Sequence, residues 1–270
     1  PADKRGWYGA YAQAGAPMGV ILANLAFISV SASMSDEAFL AWGWRLPFIA
    51  SILLIAISLY IQLRMEDTEA FKALQAEQAA SPQQAVAQRS PVFEAMRRYP
   101  RRILLAAGAF LSVQVTFYIL IAFVIAYGLN SPTVDLTRDE LLVSVLVAAA
   151  IMMPAQFYFS GLSDRVGRKQ IYRWGAILTG IWGFAIFPLV DTGMPIMITL
   201  AVTMGMVLLG MQYGPQAAYF TELFATEVRY SGASLGYQIG AILGGALAPT
   251  IAVLLWQKLG IIYVSIYILV

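Results

Sequence analysis

The 270 residues are 60% hydrophobic and 12% charged, with mean hydropathy +0.71, whereas a soluble globular domain is about 25% charged. There is no Cys and no His, which excludes disulfides, thiol nucleophiles, thiolate or imidazole metal sites and imidazole acid–base catalysis. The class is therefore an all-α, polytopic membrane protein, and the net charge of +2 acquires meaning only from its distribution.

A polar, cationic start at 1–5 leads into an apolar segment at 6–30 that holds Gly6, Gly9, Gly15 and Gly19. Small residues let helices approach closely in lipid, where no hydrophobic force draws them together. The polar patch 31–37 ends this span. Trp42-Gly43-Trp44-Arg45-Leu46-Pro47-Phe48 opens the next, which runs to about residue 63. Tryptophans beside an arginine suit an interfacial belt, and Pro47 suits a first helical turn.

Residues 64–102 form the one long polar segment, with Glu66-Asp67-Thr68-Glu69, an Ala/Gln-rich stretch to Gln88, and the cluster Arg97, Arg98, Arg101 and Arg102. It reads as a cytoplasmic linker, partly helical and partly flexible; an amphipathic helix lying on the membrane is the less favoured reading. Further spans are expected at 103–129, 141–159, 171–190, 196–220 and 231–256. Outer loops fall at 130–138, 191–195 and 257–260, and an inner one at 221–230. The last apolar run, 261–270, rises only about 15 Å, half of a bilayer core, so the sequence is expected to be an incomplete chain, internal to a longer protein. Placing the loops alternately leaves Arg45, Arg138 and Lys258 outside and every other Lys and Arg inside, the asymmetry of the positive-inside rule.

Between the spans at 141–159 and 171–190 stands Ser160-Gly161-Leu162-Ser163-Asp164-Arg165-Val166-Gly167-Arg168-Lys169, a loop short enough to make its two helices antiparallel neighbours. It resembles the signature loop of the major facilitator superfamily of membrane transporters, roughly G-x-L-(A/S)-D-(R/K)-x-G-R-(R/K), with Ser160 in place of the first glycine. The W-G-W-R-x-P-F string at 42–48 is similar to the metabolite:proton symporter family within that superfamily. The stretch 220–232 is similar to its E-x-F-P-T-x-x-R-x-S/T-G element, closest to shikimate-type members: Glu222, Phe224, Thr226, Arg229, Ser231 and Gly232 match, and Ala225 replaces the proline.

Sliding the 231–256 span onto the first one aligns Lys4 with Arg229, Gln13 with Gln238, Gly15 with Gly240, Gly19 with Gly244 and Ala23 with Ala248. The shared string is a cation at the inner end followed by Gln-x-Gly-x-x-x-Gly. These spans lie six helices apart, so a duplicated six-helix unit gives twelve helices, the two-half architecture of the superfamily. On that reading 1–63 are the last two helices (5 and 6) of the first half and 64–102 are the cytoplasmic linker. Residues 103–270 are then helices 7 to 11 and the start of helix 12.

Buried polar groups near the midplane of such a fold are substrate-pathway candidates. Gln114 and Tyr118 share a helix face by i, i+4 spacing; Gln212, Gln216 and Tyr219 form a second stripe, with Tyr213 beside it, and Gly214-Pro215 offers a local break in that helix. Gln13, Gln238 and Tyr237 follow from the repeat, and Gln156 is a weaker candidate. The alternative for each glutamine is an interhelical hydrogen bond worth about 1 kcal/mol. The resemblance implies a cytoplasmic gate of Asp164, Arg165, Gly167, Arg168, Lys169, Glu222 and Arg229. In it Asp164 would meet the N-terminus of the helix that begins near Gly6, and Arg165 and Arg168 would look to Glu222 or Glu227.

No Asp or Glu falls at mid-membrane depth in any complete span, although proton coupling needs a titratable group in the pathway. The resemblance implies secondary active transport in a bacterial cytoplasmic (inner) membrane, by proton-coupled symport of a small polar metabolite such as an organic acid or osmolyte. The linker and signature loop would be cytoplasmic. Expected partners are the substrate, protons and the lipid bilayer, with no cofactor, metal or nucleic acid. A uniporter or antiporter of the same fold and a non-transporting receptor are the rival readings; an enzyme is disfavoured because nothing assembles a nucleophile, base and metal. Substrate identity and oligomeric state are not legible.

Overall fold

A computed structural model describes residues 4–64, 91–225 and 228–269. The acidic and Ala/Gln-rich parts of the linker, together with Thr226 and Glu227, lie outside the described residues. Among the described residues seven helices are long and apolar enough to cross a membrane: Gly6–Ala32, Gly43–Arg64, Pro100–Asn130, Arg138–Val166, Arg168–Val190, Pro195–Glu222 and Arg229–Leu259. Each coincides with one of the seven complete spans expected from hydropathy, and the architecture is that of an integral membrane protein.

In chain order, α1 (Arg5–Gln13) and α2 (Gly15–Ala32) form the first span, and α3 (Asp36–Ala41) and a 3-10 turn (Gly43–Arg45) lead into α4 (Leu46–Arg64). A short helix α5 (Pro91–Arg98) precedes α6 (Pro100–Tyr118), which continues through a π turn (Ile119–Phe123) into α7 (Val124–Asn130). Then come α8 (Arg138–Val166), α9 (Arg168–Val190), α10 (Pro195–Glu222) and α11 (Arg229–Gly240). A second π turn (Ala241–Ala246) joins α11 to α12 (Ala248–Leu259), and α13 (Ile261–Ile268) closes the order.

Local chemistry sets several boundaries. The Ser35 hydroxyl accepts from the Ala38 N–H and caps α3, whose first turn carries Asp36 and Glu37 against the helix dipole. Thr137 and Glu140 form a reciprocal capping box that starts α8: the Glu140 N–H donates to Thr137 Oγ1 at 3.3 Å, and the Thr137 N–H to Glu140 Oε2 at 2.8 Å. Proline occupies the first turns of α6 and α10, where its missing N–H removes nothing.

The chain divides into two compact units, Pro1–Leu25 with Ala95–Val270, and Ala26–Glu94. The first is built around α10, which packs most extensively on α8 and α9, while α6 packs on α11. Its centre is Phe123, Phe187, Phe220, Ile198, Met206 and Leu209, all fully buried. At one end the Tyr127 hydroxyl donates to Asp191 Oδ1 at 2.6 Å and Thr133 Oγ1 donates to the same oxygen at 3.1 Å. In the second unit Phe27 meets Phe39 and Phe48 edge-on, and the Arg45 guanidinium lies 4.3 Å from the Trp44 ring centroid. No side chain of α4 is buried, a pattern that suits contact with lipid.

Two expectations are corrected. The chain runs helically through Gly214-Pro215: Pro215 removes one intrahelical bond, but Gly214 lies directly on α8, and packed neighbours commonly hold a membrane helix together across a proline. The outer connection expected at 257–260 is a single glycine, Gly260 at φ +106°, because α12 continues to Leu259. The irregular turns fall elsewhere, and the second packs on α6: a Cβ on Gly244 would lie 2.6 Å from the Leu111 carbonyl, and one on Gly245 2.9 Å from the Tyr118 ring.

Candidate functional site: a clasp at the inner helix ends and a polar stripe

Helix α1 begins without a side-chain cap of its own; Lys4 stands at the capping position and makes no such bond. The cap comes from a remote helix. The Gly6 N–H donates to Asp164 Oδ1 at 2.8 Å and the Trp7 N–H to Asp164 Oδ2 at 3.0 Å. The first N–H groups of a helix have no partner within it, and the dipole there favours an anion, so the carboxylate answers both needs.

Gly6 makes this approach feasible, since a Cβ there would sit 2.8 Å from both Asp164 Oδ1 and the Ser160 carbonyl oxygen. Asp164 also accepts from Arg168 Nη2 at 2.9 Å, with only 7% of its side chain exposed, and Arg168 Nη1 donates to Glu222. One arginine therefore links the start of α1, the end of α8, the start of α9 and the end of α10. The turn that allows this is Gly167 alone, at φ +104°, a conformation that favours glycine. Beneath the clasp Trp7 and Tyr11 both pack on Phe157, with ring centroids 5.4 and 4.9 Å away, and Gly9 lies over Ala217 and Ala218.

The other signature cations behave differently. Arg165 and Lys169 are exposed. Among the described residues Arg165 has no carboxylate partner, since Glu222 is taken by Arg168 and Glu227 lies outside them. Arg229 donates to the Phe224 carbonyl at 3.4 Å and so holds its own turn.

The polar stripe is only partly brought together. Gln13 Nε2 donates to the Tyr213 carbonyl at 3.2 Å, which joins α1 to α10 again, deeper than the clasp. Gln212 Nε2 donates to Thr179 Oγ1 at 3.2 Å across to α9, and its Oε1 has no partner. Gln216 is 0% exposed with both amide atoms unpartnered. Gln114 and Tyr118 are half-buried and lie against Gly244 and Gly245 at the second π turn. Tyr237 packs its ring on Phe110 and Phe220, 4.6 and 5.1 Å away, and its hydroxyl is buried without a partner. Gln238 is exposed and does not join them. Gln156 is fully buried with neither amide atom paired.

Sequence reasoning missed Thr179 and Thr116, both buried. Thr179 was detectable as the polar residue one turn from Gly175, where a Cβ would lie 2.8 Å from Gln212 Cγ; Thr116 carries no comparable signal. Carboxamides, phenols and hydroxyls of this kind can donate to and accept from a small polar solute.

Comparison with known proteins places this geometry. A model of the Major Facilitator Superfamily matches residues 1–249. The chain is 33% identical to a putative metabolite transport protein of Haemophilus influenzae over 99% of its own length and 62% of the relative's. It is 33% identical to the inner membrane metabolite transport protein YhjE of Escherichia coli K12, over 99% and 60% of the respective lengths. To the shikimate transporter of the same organism the identity is 31%, over 93% and 56%. The chain thus spans about three fifths of the length of the curated relatives it matches. With the signature loop seated on a neighbouring helix start, seven membrane-length helices among the described residues and a family match over most of its length, the chain belongs to the major facilitator superfamily.

Proposed function

We propose that this chain belongs to a secondary active transporter of a bacterial cytoplasmic membrane that moves a small polar metabolite, an organic acid or osmolyte, by proton-coupled symport and alternating access. Residues 1–63 then close the first half of the fold, 64–102 link the halves on the cytoplasmic side, and 103–270 build the second half. Gln13, Gln114, Tyr118, Gln212, Tyr213, Gln216 and Tyr237 line the substrate path.

The observation that carries the reading is the Asp164 clasp, whose polar bonds join the start of α1 to the end of α8 and, through Arg168, to α9 and α10. Hydrogen bonds to charged groups contribute about 1.5–3 kcal/mol each. A small set of them suits a gate whose open and closed forms must differ by only a few kcal/mol. The similarity to metabolite and shikimate transporters supports the same reading.

Proton coupling assigns its titratable group outside these residues, because the acidic side chains among the described residues sit at helix ends or in loops. That same observation favours the second reading, a uniporter or antiporter of this fold. The test is the protein expressed from its complete reading frame, reconstituted in liposomes with a pH-sensitive dye inside and carboxylates, betaines and sugars offered outside. Acidification with one ligand, lost in Asp164→Asn and Gln114→Ala, is the expected result. Uptake without proton movement would replace symport by the second reading, and no uptake of any compound would overturn both.

A further inference from the structure

Beside the clasp lies a cavity of about 500 Å³ lined by Lys4, Trp7, Gly161, Asp164 and Arg165. Its charge is unbalanced. Asp164 is already engaged by two backbone N–H groups and by Arg168, and Arg168 shares its charge with Glu222. Lys4 and Arg165 are exposed, and among the described residues neither has a carboxylate partner. Two cations with no carboxylate partner among the described residues therefore line one recess, one at the start of α1 and one at the end of α8. Gly161 leaves the floor open, and the Trp7 ring, 3.4 Å from where a Cβ on Gly161 would lie, supplies an apolar wall.

The position selects the ligand. Both cations terminate membrane-length helices at the end where the positive-inside rule collects Lys and Arg, and there the cytoplasmic leaflet presents anionic lipid. A tryptophan at a helix end is an interfacial residue, with an apolar body toward the acyl chains and a polar edge toward the headgroups. We propose that this cavity binds the phosphate-bearing headgroup of an anionic phospholipid from the cytoplasmic leaflet, and that the bound headgroup, bridging Lys4 and Arg165, holds the Asp164 clasp closed. The binding step rests on the membrane orientation and needs no assumption about substrate or coupling; its effect on the clasp rests on the gate reading above.

The test titrates the purified full-length protein in detergent with phosphatidylglycerol or phosphatidylcholine and reads the first bound lipid by native mass spectrometry. The preference for phosphatidylglycerol should fall about fivefold in Lys4→Gln or Arg165→Gln and about thirtyfold in the double variant. It should survive the charge-keeping exchange Lys4→Arg with Arg165→Lys, and Lys258→Gln at the other membrane face should leave it unchanged. An unchanged preference in the double variant overturns the site, and displacement of the lipid by excess inorganic phosphate overturns the assignment to lipid. For the effect on the clasp, an Ala218→Cys thiol beneath α1 should react with maleimide more slowly in vesicles containing phosphatidylglycerol than in pure phosphatidylcholine. Equal rates there overturn the closing role while the binding result stands by itself, and neither readout depends on substrate uptake.

Discussion

Adding one methyl group at Gly6 tests the clasp most directly. The Cβ of Gly6→Ala would stand 2.8 Å from Asp164 Oδ1, 2.8 Å from the Ser160 carbonyl oxygen and 3.0 Å from Ser163 Oγ. The carboxylate could swing away, but the carbonyl belongs to the α8 backbone and cannot yield without moving that helix. Overpacking of this kind costs about 1–3 kcal/mol, and any retreat of α1 also lengthens the two N–H bonds to Asp164. A loss of about 2 kcal/mol from the closed state alone shifts the closed-to-open ratio about thirtyfold. The readout is maleimide labelling of an Ala218→Cys thiol in a cysteine-free background, since Ala218 is 8% exposed beneath Gly9. Labelling should accelerate by about that factor as long as the open form remains the minor one. Gly15→Ala is the control, because nothing lies within 4 Å of a Cβ there. If Gly6→Ala leaves the labelling rate unchanged in a folded protein, the helix start at Gly6 is not a gate contact.

Asp164→Asn keeps the shape but removes the charge shared by two N–H groups and Arg168, so it should open the clasp to a similar degree. Arg168→Lys should do nearly as much, because a single ammonium reproduces poorly the forked reach to both Asp164 and Glu222; the same labelling assay checks both. Gly214→Ala places a Cβ 2.5 Å from the Gln156 carbonyl and from Ser160 Oγ, whereas Gly210→Ala meets nothing closer than 3.5 Å. Thermal melting in detergent should therefore fall by the equivalent of about 2 kcal/mol or more for Gly214→Ala and stay nearly constant for Gly210→Ala. Gln216→Met replaces a buried amide with two unpartnered atoms by an apolar group of similar size. Melting should rise, because an unpaired buried polar group costs about 1–3 kcal/mol. Transport should fall if that amide serves the solute, and an unchanged uptake rate would make Gln216 purely structural.

The spans were legible because membrane insertion is governed by length and hydropathy, which are local properties of the chain. Each expected span meets a helix, and differences are confined to ends such as Leu259, where one glycine at positive φ suffices for the connection. The pairing of Asp164 with the helix start near Gly6 was also within reach, because the family resemblance implied that the loop's aspartate meets a helix N-terminus and the repeat located that helix. What stayed hidden depends on neighbours. Both π turns lie in sequence that reads as ordinary apolar helix: the first packs on the 248–259 helix, and the second presses Gly244 and Gly245 against Leu111, Gln114 and Tyr118. Conversely, Gly214-Pro215 reads as a break yet stays helical against α8.

The same division holds for the polar residues. Spacing placed Gln212 and Gln216 on one stripe, yet only the packing against α9 gives Gln212 a partner in Thr179 and leaves Gln216 with none. The repeat equated Gln13 with Gln238, but Gln13 reaches the Tyr213 backbone while Gln238 stands exposed. Sequence by itself determined where the membrane-length helices of the described residues lie, since this follows from hydropathy summed along the chain, and the family resemblance pointed to the loop that carries the clasp. Tertiary structure alone decided which amides are paired, where helices bend and which cations remain free, because hydrogen bonding and close packing are settled between segments far apart in sequence.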